Sequence, residues 1–157
     1  MENKILVAVD ESQNSMKAVD FVGKRMQANA MVTLFSVIPD PTAACGLDSP
    51  SLSPVFIKNR QAFCAIEDAK KDRIEAFMEK ARELLIKAGF PAENVSVRIQ
   101  NKKVGIARDI LKEAERGKYD TIVIGRRGLS GIKQFFFGSI SNKVIQLANN
   151  LAVIVVD

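Results

Sequence analysis

Five short apolar runs alternate with stretches of helical spacing along this chain, and that alternation limits its architecture more than any other feature. Residues 4–9 (Lys-Ile-Leu-Val-Ala-Val) and 30–38 are nearly continuous apolar runs, too short for helices and suited to strands covered on both faces. Residues 95–99 alternate apolar with polar, which predicts a strand with less cover, nearer an edge. Residues 121–124 and 152–156 supply two more strands. Between them, Ala18, Val22 and Met26 recur at intervals of four. Ile74, Phe77, Met78, Ala81, Leu84 and Leu85 mark the longest helix, expected over about residues 58–88 and stopped by Gly89 and Pro91. Ile106, Ile110 and Leu111 mark another helix ended by Gly117, and Ile140, Val144, Leu147 and Ala148 a last one reaching about residue 149. The order β-α-β-α-β-α-β-α-β calls for one open parallel sheet with helices on both faces, joined by right-handed crossovers. By length, residues 1–157 make one α/β domain with a substantial core.

In such sheets ligands bind beyond the carboxyl ends of the strands, where the strand order reverses. The first strand ends in Asp10. The fourth ends in Gly125 and runs into Arg126, Arg127 and Gly128, with Gly138 and Ser139 ten residues further on, where the last helix begins. Strand, glycine-rich loop and helix N-terminus in that order make an anion site: glycines admit close backbone approach, and the first helical turn offers N–H groups without partners. Arg126, Arg127 and Lys133 add positive charge. If the first and fourth strands are neighbours, the Asp10 carboxylate and the glycine loop share a crevice. The same glycines also serve as ordinary turn and cap residues, and the spacing matches neither the P-loop nor Gly-x-Gly-x-x-Gly.

Composition narrows the chemistry. The chain has no histidine, which removes Ser-His-Asp and Cys-His catalysis and the commonest metal ligand. Its net charge of +5 suits an anionic small molecule, while the lack of Trp and scarcity of aromatics offer no stacking platform for single-stranded nucleic acid. The longest strictly apolar run, residues 151–156, is far short of a membrane span, and the first residues show no signal-peptide pattern, so a cytoplasmic protein is expected. In that compartment Cys45 and Cys64, not spaced as Cys-x-x-Cys, are expected to stay reduced. Residues 39–56, with Pro39, Pro41, Pro50 and Pro54, predict a long loop of the kind that often forms a lid or binding element.

With these residues in view, the whole chain resembles the ATP-binding branch of the universal stress protein family. Gly125, Gly128, Gly138 and Ser139 match its Gly-x2-Gly-x9-Gly-Ser/Thr motif in full, the start Ile-Leu-Val-Ala-Val-Asp-Glu-Ser is similar to its first strand, and Ala-Val-Ile-Val-Val to its last. The resemblance implies a Rossmann-like, adenine nucleotide alpha-hydrolase-like sheet of strand order 3-2-1-4-5. It implies that Ala8, Val9 and Asp10 line the adenosine end of an ATP site and that Val37 offers main-chain groups to the adenine edge. Ile124, Gly125, Arg127 and Gly128 would lie near ribose and phosphate, and Gly138, Ser139, Ile140 and Ser141 would hold the β- and γ-phosphates. Mg²⁺ or Mn²⁺ would be bound mainly by phosphate oxygens, without a dedicated protein cage. Arg126-Arg127 stands where many relatives carry Ser-His, and Phe135, Phe136 and Phe137 replace a more aliphatic segment; at least two of these rings are expected to anchor the loop in the core. The resemblance also implies a homodimer through residues 152–156.

Two functional classes follow. One is a nucleotide-dependent regulatory or stress-response module read by an unknown protein partner. The other is a slow metal-dependent ATPase or nucleotidyl transferase. No general base is evident, and Asp-Glu-Ser lacks the Ser-Gly-Gly-x-Asp-Ser loop of related adenylating enzymes. A stress protein with a merely structural loop is a third reading, which the intact glycine spacing opposes.

Overall fold

The computed structural model describes residues 3–40, 45, 53–127 and 138–157. The elements run β1 (Lys4–Ala8), α1 (Gln13–Arg25), β2 (Met31–Ile38), α2 (Pro54–Lys87), a 3₁₀ turn (Ala92–Asn94), β3 (Val95–Asn101), α3 (Ile106–Gly117), β4 (Thr121–Gly125), α4 (Ser139–Leu147) and β5 (Ala152–Val156). All the strand pairs are parallel, and the order is β3-β2-β1-β4-β5. The expected architecture and strand order therefore hold, with β3 at an edge as its alternating pattern predicts. The reversal of strand order falls between β1 and β4, whose register pairs Ala8 with Ile124. Asp10 and the exit of β4 accordingly leave the sheet side by side.

Each face of the sheet has its own core. Ile5, Val7, Leu34 and Val123 pack with Val19 and Val22 of α1 and with Met78 and Leu85 of α2. Leu6, Phe35 and Ile122 pack on the opposite face with Ile110 and Ala114 of α3 and Val144 of α4. This division follows from side-chain alternation: odd and even residues of β1 point to opposite faces, and both sets are apolar because both faces are covered. Helix ends follow local rules. Ser12 caps α1 by accepting the Ser15 N–H, and Gly89, at φ +105°, turns the chain out of α2 where a Cβ would be strained.

Three expectations are corrected here. Helix α2 begins at Pro54, not near residue 58, so the last residues of the loop expected over 39–56 are helical instead: Pro54 occupies the first turn, where a missing N–H has no consequence, and Ser53 caps it by accepting the Phe56 N–H at 3.3 Å. Cys45 and Cys64 are not free thiols but a disulfide with Cα atoms 5.9 Å apart, since α2 carries Cys64 within reach of Cys45. Helix α4 also ends at Leu147, with Ala148 as its cap in extended conformation. The expectations for Gly128, Lys133 and Phe135–Phe137 lie outside the described residues.

Candidate functional site

At the carboxyl ends of β1, β2 and β4 lies a cavity of about 440 Å³. Its floor is apolar, with Ala8, Phe35 and Ile124 from the strand ends and Ile106 and Ile110 from α3. Of the residues expected at the site, Ala8, Val9, Asp10, Val37, Ile124 and Gly125 line it from the sheet, and Arg127, Gly138, Ser139, Ile140 and Ser141 from the loop ends and α4. Gly128 lies outside the described residues. Segments more than a hundred residues apart thus meet at one crevice because β1 and β4 are neighbours.

Asp10 is held by the turn that follows it. Ser15 donates its hydroxyl to Asp10 Oδ1 at 2.7 Å, the Ser12 N–H donates to the same oxygen at 2.9 Å, and the Asp10 N–H donates to Ser15 Oγ at 2.9 Å. The second carboxylate oxygen takes no part in these bonds. The carboxylate is therefore fixed in direction while keeping acceptor capacity beyond these bonds.

Backbone alternation orients Val37. The Met31 N–H donates to Asn3 O, and Phe35 O accepts the Val9 N–H at 2.9 Å, so odd residues of β2 face β1. Even residues face β3, as the Lys102 N–H to Ile38 O bond shows. Because β1 stops at Ala8, opposite Phe35, the N–H and C=O of Val37 point past its end. They leave one donor and one acceptor at the cavity wall.

The opposite wall is the start of α4. Gly138 is its N-cap, without a side-chain cap, and the Asn142 N–H to Gly138 O bond begins the helical ladder. The N–H groups of Ser139, Ile140 and Ser141 precede that ladder and have no intrahelical acceptor. They carry the positive end of the helix dipole, an arrangement suited to an anion. Ser141 contributes through its backbone, while its hydroxyl donates to Arg126 O at 2.7 Å and Gly138 O at 3.0 Å. Together with the Gly138 N–H to Arg126 O bond at 2.8 Å, this staples the two ends of the glycine loop.

Two residues near the loop do something other than the sequence suggests. Gly125 is required by helix packing: a Cβ there would sit 2.7 Å from the backbone of Asn14 in the first turn of α1. The Asn14 amide donates across the same contact to Arg127 O at 3.2 Å. Arg126 turns away from the cavity to Asp157, its Nε 2.9 Å from Oδ1, so its charge belongs to the end of β5. Arg127 remains at the cavity.

Sequence reasoning missed the contribution of α2. Lys70 and Arg73 line the cavity together with Ile74, and Arg73 pairs with Glu11 at 3.4 Å. The signal was present: Lys70 and Arg73 stand four residues before Ile74 and Phe77, so they extend the buried stripe beyond the edge of the core. The base of the site is held by Asp109, whose buried carboxylate accepts the N–H groups of Lys103 at 2.7 Å and Val104 at 3.2 Å. Burial pushes this carboxyl up, but the Lys103, Val104 and Gly105 N–H donors and the Lys112 charge outweigh it and hold the group below its ordinary value. That turn positions the first residues of α3, including Ile106, beneath the cavity.

Comparison with known proteins agrees with this architecture. The model of the universal stress protein family matches residues 1–156. Universal stress protein YxiE of Bacillus subtilis (strain 168) is 30% identical over 158 residues, covering 99% of either chain. Hypothetical protein MJ0577, whose solved structure served for a structure-based assignment of biochemical function, superimposes with a TM-score of 0.74 at 26% identity, over 99% of this chain and 96% of that one. A universal stress protein from Archaeoglobus fulgidus, solved in complex with dAMP, shares the fold with a TM-score of 0.60 at 21% identity, over 99% and 98% of the two chains. The chain belongs to the universal stress protein family.

Proposed function

We propose that the cavity binds an adenine nucleotide, with ATP as its ligand, and that occupancy switches a stress-response module read by a protein partner. The observation that carries this reading is the meeting of three complementary features in one cavity. These are the main-chain edge of Val37, the fixed carboxylate of Asp10 and the amides of Ser139, Ile140 and Ser141. Adenine would lie on the apolar floor against Val37, and the ribose beside Ala8, Val9 and Asp10. The phosphates would run past Ile124, Gly125 and Arg127 to the amides that follow Gly138. The dAMP held by the Archaeoglobus fulgidus relative supports an adenine ligand.

A divalent ion fits as a companion of the nucleotide. Among the described residues no group of three acidic, His or Cys side chains is placed to hold a metal. Mg²⁺ or Mn²⁺ would thus keep most of its water and be bound chiefly by phosphate oxygens, with the Asp10 and Glu11 carboxylates in the same cavity. Among those residues no helix is long and apolar enough to cross a membrane. We place the protein in the cytoplasm as a homodimer joined along β5, whose outer edge has no neighbour among the described strands.

Thermal unfolding with and without Mg-ATP tests the reading, followed by an assay for released phosphate. ATP at about 100 times its Kd should stabilise the fold by about 2.7 kcal/mol. Gly138→Val, which puts a branched side chain beside those amides, should abolish that gain. No stabilisation by ATP, ADP or AMP would refute the nucleotide reading, and stoichiometric phosphate release at a sustained rate would make the module an enzyme.

A further inference from the structure

The Cys45–Cys64 disulfide lies where it can control one wall of the cavity. Cys64 is on α2, six residues before Lys70 and nine before Arg73, both of which line the cavity. At about 1.5 Å per helical residue these side chains stand about 9 and 14 Å along the axis from the bond. Cys45 follows Pro39 by six residues, and Pro39 and Ile38 line the same cavity from the end of β2. The bond therefore ties the helix that carries Lys70 and Arg73 to a residue six positions after Pro39.

The amino half of α2 has little packing of its own. None of residues 54–73 is buried, and the first buried residue of the helix is Ile74. Val55, Phe56, Phe63 and Ile66 are exposed, Val55 at 70%. A helical segment gains most of its order from packing of an apolar face, and this one packs none into the core. Its ties to the body of the molecule include the disulfide and the 3.4 Å Arg73–Glu11 pair, itself half in water. Both cysteines are partly exposed, so a small thiol can reach them.

We propose that Cys45–Cys64 is a reversible redox switch: the disulfide orders the amino half of α2, sets Lys70 and Arg73 at the cavity, and so couples oxidation to nucleotide affinity. The coupling rests on the nucleotide reading above; the ordering of α2 does not. The oxidant is a low-molecular-weight disulfide. One cysteine thiolate attacks it and expels one thiol as a mixed disulfide forms; the second cysteine thiolate displaces the other. Two protein thiols and one small disulfide thus give one protein disulfide and two small thiols, and the reverse reaction resets the switch.

The test uses the full chain equilibrated in millimolar glutathione at graded ratios of reduced to oxidised form, with alkylation and mass measurement of the two cysteines. Amide hydrogen exchange and Mg-ATP titration are then performed on each state and on Cys64→Ser. The bond should open and close within the glutathione range. In the reduced chain and in Cys64→Ser, amides of residues 57–70 should exchange at least about tenfold faster, while those of residues 74–87 keep their protection. Mg-ATP should bind several-fold more weakly to those two forms than to the oxidised chain. A bond that resists reduction throughout, or equal exchange in both states, overturns the switch. Equal ATP affinity in both states overturns the coupling. No ATP binding in either state, with the exchange contrast intact, refutes the nucleotide reading and supports the switch alone.

Discussion

The Asp109 carboxylate lies beneath the site, buried and ringed by N–H groups, and it converts pH into stability. Its carboxyl is held below the ordinary aspartate value, so the unfolded chain takes up a proton at a higher pH than the folded one. The stabilisation is complete above the ordinary value of about 3.9 and is lost as pH falls from there through the depressed folded value. Asp109→Asn should cost about 1–3 kcal/mol in urea unfolding at neutral pH and flatten the fall of stability below about pH 4. An unchanged acid profile would assign that fall to other carboxylates. Gly125 makes a second residue-scale point. Gly125→Ala sets a Cβ against the Asn14 backbone and should cost about 1–3 kcal/mol even without ligand, read from the same urea transition. The glycine itself was legible in the sequence; its reason was not, because the approach of α1 to the end of β4 is a long-range contact that no local pattern encodes.

At the scale of elements, the strands were readable because both faces of the sheet are covered, which leaves β1, β2 and β5 as almost unbroken apolar runs. Helix α2 was harder at its start. Pro54 reads equally as a loop residue or as the first residue of a helix, and with no buried side chain before Ile74 the apolar stripe could not decide. The inward positions of Lys70 and Arg73 went unread for the same reason, as charged residues past the core look like solvated surface. The junction of β4 and α4 gives a prediction that separates two roles of one hydroxyl. Ser141 Oγ donates to Arg126 O and Gly138 O, so Ser141→Ala should lower stability by about 1–2 kcal/mol without nucleotide present. Unchanged stability combined with weakened ATP binding would instead give the hydroxyl to the phosphates.

For the whole molecule, the strand order gives the outer edge of β5 no neighbour among the described residues, and the ladder shows which amides face outward. Ala152 N–H donates to Asp120 O and Val156 O accepts Arg126 N–H, so Ala152, Ile154 and Val156 face β4, and Val153 and Val155 present their groups to the edge. Light scattering should give about 35 kDa, twice the 17.3 kDa chain. Val155→Pro removes an outward N–H that β4 does not use and should yield the single-chain mass with the fold retained. A wild-type chain of single mass would refute pairing through β5. The site belongs to this scale as well, since Asp10, Val37 and Ser139 meet only once strand order is fixed. Their convergence could be expected from the glycine spacing and the family resemblance, whereas the disulfide depended on where α2 lies in three dimensions.

The central claim is that the amides opening α4 hold the phosphates of an adenine nucleotide whose base lies at Val37. Titration of the ¹⁵N-labelled chain with Mg-ATP tests it residue by residue. The amide resonances of Ser139, Ile140 and Ser141 should move in saturable fashion together with those of Val9, Asp10 and Val37, and AMP should move the second group more than the first. Resonances of Ser139–Ser141 that stay fixed while ATP saturates the protein elsewhere would contradict it.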